Sequence, residues 1–231
     1  MQADDPLNIG IVIFEGMTQL DATGPFEVLA RVPGAKVLLV APRKGPLTAG
    51  FGMKFVPDTD FKRCPPLDVI CIAGGSGINA LLNDEAALGF VRRQAAHAQW
   101  VTSVCTGSLL LGSAGLLRGR RAGCHWLSLS LLKALGARPS NRRVVVDGKF
   151  ITTGGVTSGI DFGLVLAAKL AGAKAAKEIQ LMIQYDPKPP FRGGTPKRAG
   201  AALVRRIARK QADTQKERKR LVEAAARRFK P

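Results

Sequence analysis

Short β-branched apolar runs, separated by segments of helix length, constrain this chain more than any other feature. Asn8–Phe14 (NIGIVIF), Lys36–Ala41 (KVLLVA), Leu67–Ala73 (LDVICIA) and Trp100–Val104 (WVTSV) read as buried strands. Helix-prone stretches lie between and after them. Thr18–Arg31 is one, interrupted near Gly24-Pro25. Another opens with the capping residues Asn83-Asp84-Glu85 and runs to about Ala98, and a third covers Thr106–Ala114. Strands that alternate with helices pair in parallel and are covered on both faces, so the class is α/β.

The rest of the chain fits that frame. Pro42–Phe61, rich in Gly and Pro, is expected to form loop or hairpin pieces. Arg121–His125 and Arg143–Asp147 read as strands, with a helix near Leu127–Leu135. Asp147-Gly148 signals a hairpin turn into Phe150–Thr153. Ser158–Ala171 and Ala173–Gln184 read as two helices. Asp186–Pro196 is a Pro/Gly linker, and Pro196–Phe229 is basic and helix-prone. The expected organisation is one body, residues 1–187, and a linker with a helical arm, residues 188–231.

Charge sharpens that division. The 231 residues carry a formal net charge of +18, which raises the question of nucleic acid or an anionic membrane. Residues 188–231 hold 15 Lys/Arg and 3 Asp/Glu, a net of +12, whereas residues 1–187 hold 20 and 14, a net of +6. The excess therefore belongs mostly to the arm. Leu203 and Ile207 are spaced by four, as are Leu221, Ala225 and Phe229, so two apolar patches flank a polar middle. The arm is read as a solvated amphipathic segment packing on a partner subunit, in preference to a nucleic-acid-binding element. No apolar stretch approaches the roughly 18 residues of a membrane span. The start, MQADDPLNIG, has acids where a signal peptide has bases. The expectation is a cytoplasmic protein. Cys64, Cys71, Cys105 and Cys124 would then stay reduced, and no C-x-x-C spacing supports a metal site.

Three segments carry candidate chemistry. In VTSVCTGSLLLGSAGLL an apolar strand ends at Cys105 and a helix starts within one residue, the geometry of a nucleophile elbow. The side chain would project from the carboxyl end of the sheet, where open α/β folds place their sites. The helix N-terminus would favour a thiolate, and Gly107 would leave room for a substrate. A buried structural cysteine is the alternative. Cys71, mid-strand, reads as core. In CIAGGSG, Gly74 and Gly75 follow a strand and could free backbone amides for an anion, or form an ordinary turn. In QLDATGP, Asp21 stands in apolar surroundings after the first strand. Desolvation there would raise its pKa and let it carry a proton; a helix cap or paired structural carboxylate is the alternative.

Together these segments resemble the PfpI-like branch of the class I glutamine-amidotransferase-like superfamily, and within it the bacterial isocyanide hydratases. The motifs are FEGMTQLDATGPFEVL (14–29), CPPLDVICIAGGSG (64–77), WVTSVCTGSLLLGSAGLLRGRRAGCHW (100–126) and ITTGGVTSGIDFGLVLAA (151–168). YDPKPPF (185–191) and the basic tail also resemble that subgroup. The resemblance implies a flavodoxin-like three-layer sandwich with a mostly parallel central sheet, a homodimer, and no cofactor. It implies Cys105 as nucleophile and Asp21 as the acid that contacts the thiol. Thr106 would support that acid through its hydroxyl and face the substrate with its amide. Gly75, beside Gly74, would be the opposing amide donor, and Gly154-Gly155-Val156 would close the pocket. Protease-like members have His directly after the nucleophile; Thr106 there excludes that dyad. His125, in GCHW, could approach the site but reads as a structural, hydrogen-bonded histidine, and His97 as exposed.

The implied activity is hydration of a small-molecule isocyanide to an N-substituted formamide through a thioimidate on Cys105. Two alternatives stay open: a ligand-sensing domain like that of AraC-type transcription regulators, and a glyoxalase- or deglycase-like stress enzyme. The first would need a double helix-turn-helix domain of about one hundred residues, for which residues 197–231 are too few.

Overall fold

A computed structural model describes residues 6–229. The outer ends of both expected segments, residues 1–5 and 230–231, lie outside the described residues. The strands are β1 (Leu7–Val12), β2 (Ala35–Ala41), β3 (Leu47–Thr48), β4 (Lys54–Phe55), β5 (Thr59–Asp60), β6 (Val69–Ile72), β7 (Trp100–Ser103), β8 (Arg121–Ala122), β9 (Arg138–Pro139), β10 (Val144–Asp147) and β11 (Phe150–Thr153). The helices are α1 (Gln19–Leu29), α2 (Ile78–Leu81), α3 (Glu85–His97), α4 (Gly107–Ser113), α5 (Ser158–Met182), α6 (Pro196–Ala199), α7 (Ala201–Lys210) and α8 (Ala212–Arg227).

Seven strands form the central sheet in the order β10-β11-β7-β6-β1-β2-β5. All neighbours in it pair in parallel except β10 and β11, the hairpin turned at Asp147-Gly148. Chain order runs outward from β1 in both directions, except that the terminal hairpin places β10 outside β11. Right-handed crossovers then place helices on opposite faces: α1 packs with α5, while α4 packs with α2, α3 and α8. The expected flavodoxin-like three-layer α/β sandwich is the fold observed. β1 and β6 bury nearly every side chain because both faces are covered.

Several local readings are adjusted. α1 runs unbroken through Pro25, and its contact with α5 is close because Gly163 lacks a Cβ that would lie 2.8 Å from that of Val28. Arg121–His125 pairs only over Arg121–Ala122, and Leu127–Leu135 forms a short 3-10 turn, Leu129–Lys133. The two helices expected at 158–184 are present as one element broken at Gly172, whose φ of 85° no helix accommodates. The arm breaks at Gly200 and Gln211.

The arm also departs from the solvated reading. α7 buries no residue, but α8 places Val222 and Ala225 in the same hydrophobic core as the sheet. Arg228 donates to Asn83 Oδ1 and the Leu82 carbonyl at 3.0 and 3.1 Å, and Asn83 Nδ2 donates back to the Leu221 carbonyl at 3.0 Å. The apolar spacing of four therefore covers the chain's own α4 face.

Candidate active site

Four loops at the carboxyl ends of β1, β6, β7 and β11 converge. The turn after β7 is as sharp as its sequence suggests. Cys105 has φ +56°, a left-handed backbone that a side chain rarely adopts. Its amide donates to the Gly154 carbonyl at 3.0 Å, which ties the elbow to the loop after β11. α4 begins two residues later at Gly107. A Cβ at Gly107 would stand 2.3 Å from the Ile72 carbonyl oxygen. The contact that requires glycine there is with β6, which lets the helix start sit against the strand, whereas the sequence reading assigned the small residue to substrate approach.

Asp21, in the first turn of α1, is fully buried against this elbow. Its Oδ2 accepts the Gly74 amide at 3.0 Å, and its Oδ1 has no hydrogen-bond partner. Burial raises the carboxyl from 3.8 to about 7, with the Gly74 amide and the Cys105 thiol opposing the rise. The burial anticipated for Asp21 from QLDATGP is present, and it disfavours the charged carboxylate. Position 74 must be glycine for this approach: a Cβ there would lie 2.7 Å from Asp21 Oδ2 and 2.9 Å from Cys105 Cβ.

The thiol corrects another expectation. Cys105 is 5% exposed. Burial first, then the Asp21 and Cys124 charges, push it well above its ordinary value, against the lowering by the Thr106 amide. Desolvation beside a carboxylate outweighs the helix N-terminus and disfavours the thiolate.

The glycine pair is also wired differently from the expectation. The Gly75 amide donates to Thr106 Oγ1 at 2.9 Å, and that hydroxyl donates to the Gly75 carbonyl at 3.1 Å. The Gly74 amide is held by Asp21. Both amides are therefore committed within the protein, and the Thr106 hydroxyl clasps Gly75 without touching Asp21. The remaining donor at the elbow is the Thr106 amide, which faces the Cys105 sulfur. Gly75 takes a positive φ of 130° and bridges to Met17, while the Thr18 amide donates to the Gly74 carbonyl at 2.8 Å. The loops after β1 and β6 are thereby joined just before Asp21.

Gly154 is bonded directly to the elbow, and half-buried Val156 lies two residues on, in the turn that leads into α5. His125 stands beside Gly155, with 3.2 Å from its Cδ2 to where a Cβ would be. Its Nδ1 accepts the Leu127 amide at 3.4 Å, and burial with the nearby Arg218 charge lowers its pKa. It is a neutral, hydrogen-bonded histidine flanking the site. His97 is exposed at the end of α3. Cys71 is fully buried in β6, and all four cysteines are free thiols.

One residue escaped the sequence entirely. Arg218 of α8 is 3% exposed. It donates through Nε to Asn79 Oδ1 at 2.8 Å, through Nη1 to Ser128 Oγ at 3.1 Å, and through Nη2 to the Gly75 carbonyl at 3.0 Å. It sits in a run of basic residues whose local pattern is that of a solvated face.

Among the described residues, no helix is long and apolar enough to cross a membrane, and no three His, Cys, Asp or Glu side chains cluster as a metal site would require.

Comparison with known proteins agrees with this geometry. Residues 8–169 match the model of the DJ-1/PfpI family. An isonitrile hydratase of Pseudomonas putida is 48% identical over 220 residues, covering 95% of this chain and 96% of that protein. The crystal structure of a ThiJ/PfpI family protein from Pseudomonas syringae superposes with a TM-score of 0.91 at 39% identity, covering 94% of this chain and 90% of that one. An HTH-type transcriptional regulator of Pseudomonas aeruginosa is 27% identical over 80% of this chain, but over only 52% of its own length. With the elbow cysteine, the buried acid and matches of this extent, the chain belongs to the DJ-1/PfpI family.

Proposed function

We propose that the chain is an isocyanide hydratase that converts an isocyanide and water to an N-substituted formamide. The observation that carries this reading is the 48% identity to the isonitrile hydratase across nearly all of both proteins. The buried Cys105–Asp21 pair supplies chemistry suited to the reaction.

The isocyanide carbon is electrophilic. Cys105 Sγ bonds to it while Asp21 takes the thiol proton and passes it to the same carbon, giving the thioimidate R–N=CH–S–Cys105. Water then adds to that carbon and the nitrogen is protonated. The C–S bond breaks, the sulfur regains a proton, and R–NH–CHO leaves. Two addition steps replace one difficult hydration. An acid near pKa 7 can take and return a proton at neutral pH. The unpartnered Asp21 Oδ1 supports that role. The Thr106 amide steadies the sulfur, and the partly exposed Gly75, Gly154 and Val156 flank the approach, with Gly74 holding Asp21 behind them. Each step uses only protein groups and water.

The free thiols suit a reducing cytoplasm. We also propose a homodimer, to be checked by light scattering on the eluting protein. Leu181 and Met182, exposed at the end of α5, are candidate contact residues.

The test is to incubate the protein with an alkyl or aryl isocyanide, follow formamide release, and weigh the intact chain. A substrate-mass adduct that is lost in Cys105→Ala supports the reading. Absence of turnover by the unmodified chain, or full turnover by Cys105→Ala, overturns it.

A further inference from the structure

We propose that Arg218 is a positioning residue for the nucleophile: its guanidinium clamps the Gly75 carbonyl that orients Thr106, and it brings the site its buried positive charge. This makes the arm part of the catalytic machinery, and it rests on the reading of Cys105 as nucleophile.

The first ground is geometry. All three acceptors of the Arg218 fork are neutral and come from three separate segments: Asn79 in α2, Ser128 before the 3-10 turn, and Gly75 after β6. Gln215, three residues earlier on α8, completes the set. With its amide turned to satisfy both ends, its nitrogen donates to Leu127 O at 3.2 Å and Ser128 Oγ at 2.9 Å, and its oxygen accepts from Arg218 Nη1 at 3.0 Å. The Gly75 carbonyl receives Arg218 and the Thr106 hydroxyl together. Thr106 adjoins Cys105 and points its amide at the sulfur. The path from arm to nucleophile is therefore Arg218, Gly75, Thr106, Cys105, with every link a hydrogen bond or a peptide bond.

The second ground is charge. Among the described residues, Arg218 is the one buried Lys or Arg, and no carboxylate is within salt-bridge distance of it. A buried cation without a counter-ion costs stability. Its charge lowers the Cys124 thiol, which with Cys105 is the ionisable group that acts back on it. The placement is accounted for if negative charge moves toward it during turnover, as it does when Cys105 gives its proton to the Asp21 carboxylate and the charge passes to the sulfur side.

The test uses the full chain with Arg218→Met and Arg218→Lys, and Cys105→Ser as the background for the other thiols. Two readouts are taken: alkylation of Cys105 by iodoacetamide across pH, resolved by peptide mass, and kcat and KM for isocyanide hydration. For Arg218→Met, alkylation at pH 8 is expected to fall about tenfold, equivalent to a rise of one pKa unit. Its kcat is expected to fall about 10²-fold through misplacement of the elbow, with KM little changed. Arg218→Lys, which keeps the charge but not the fork, is expected to restore alkylation and leave kcat reduced. A folded Arg218→Met chain with unchanged alkylation and kcat overturns the proposal, even if its melting temperature drops. Should Arg218→Met fail to fold, Asn79→Ala decides, since it removes one acceptor and leaves the cation: reduced kcat supports the clamp, and unchanged kcat overturns it. Absence of isocyanide turnover in the unmodified chain would defeat the proposed function alone, because the alkylation readout needs no isocyanide.

Discussion

Asp21 and Gly74 are joined by a 3.0 Å hydrogen bond that only a glycine at position 74 allows. The Gly74 amide is what lets a fully buried carboxylate exist next to the nucleophile, and the missing Cβ is what lets that carboxylate come near. A methyl at position 74 would also meet the Thr106 amide nitrogen at 2.6 Å. All three neighbours are backbone or tightly held groups that cannot yield cheaply.

Gly74→Ala is therefore expected to lower stability by about 2–3 kcal/mol through overpacking, and to lower kcat far more than that loss explains. Urea unfolding and formamide release measure the two effects. A chain of unmodified stability and activity would contradict the packing described.

Asp21 should impose a pH dependence on both stability and activity. Its carboxyl is raised in the fold from 3.8 to about 7, so the native state keeps a proton that the unfolded chain releases. Its contribution to stability is complete below pH 3.8 and is lost as pH rises toward 7, after which it is constant. The loss is roughly 4 kcal/mol at about 1.4 kcal/mol per unit. Asp21→Asn is expected to remove this slope, so the variant gains stability on the unmodified chain between pH 4 and 8. Turnover needs the ionised acid, so kcat/KM is expected to rise through about pH 7 and hold above it, where the raised Cys105 thiol keeps its proton. In Asp21→Asn it is expected to fall by about 10²–10⁴. A profile flat from pH 5 to 9 would contradict the role given to Asp21.

The left-handed backbone at Cys105 is a store of strain. At φ +56°, a residue with a Cβ costs about 1–2 kcal/mol that glycine avoids. Among inactive variants, Cys105→Gly is expected to be more stable than Cys105→Ala by about 1 kcal/mol, the reverse of the order in a strand or helix. Thermal unfolding of the pair decides it.

The arm's packing predicts a stability effect independent of Arg218. Val222 is fully buried among core residues. Val222→Ala removes two methyl groups and is expected to cost about 2 kcal/mol, with single-step unfolding retained because α8 shares the core of the sheet. A separate low-stability transition for the arm would show that it does not belong to that core.

Local pattern carried much of this molecule. The β-branched runs at Ile9–Val12 and Val69–Ile72, the elbow at Cys105, the hairpin at Asp147-Gly148 and the break at Gly172 follow from preferences acting over a few residues, which a linear sequence displays. Asp21 was legible as a buried acid because its neighbours are apolar.

What the glycine amides do was settled only by folding. A Gly-Gly turn has the same sequence whether its amides face a ligand or the protein. Gly74 and Gly75 give theirs to Asp21 and Thr106, 53 and 31 residues away. The state of the Cys105 thiol was likewise decided by burial, which outweighs the local helix start. Arg218 is the extreme case: it reaches Gly75 across 143 residues, from a stretch reading KERKR. Charge and spacing state that such a helix is amphipathic. Which of its cations points inward depends on the crossing of α8 over α4, and that is a property of the assembled layers alone.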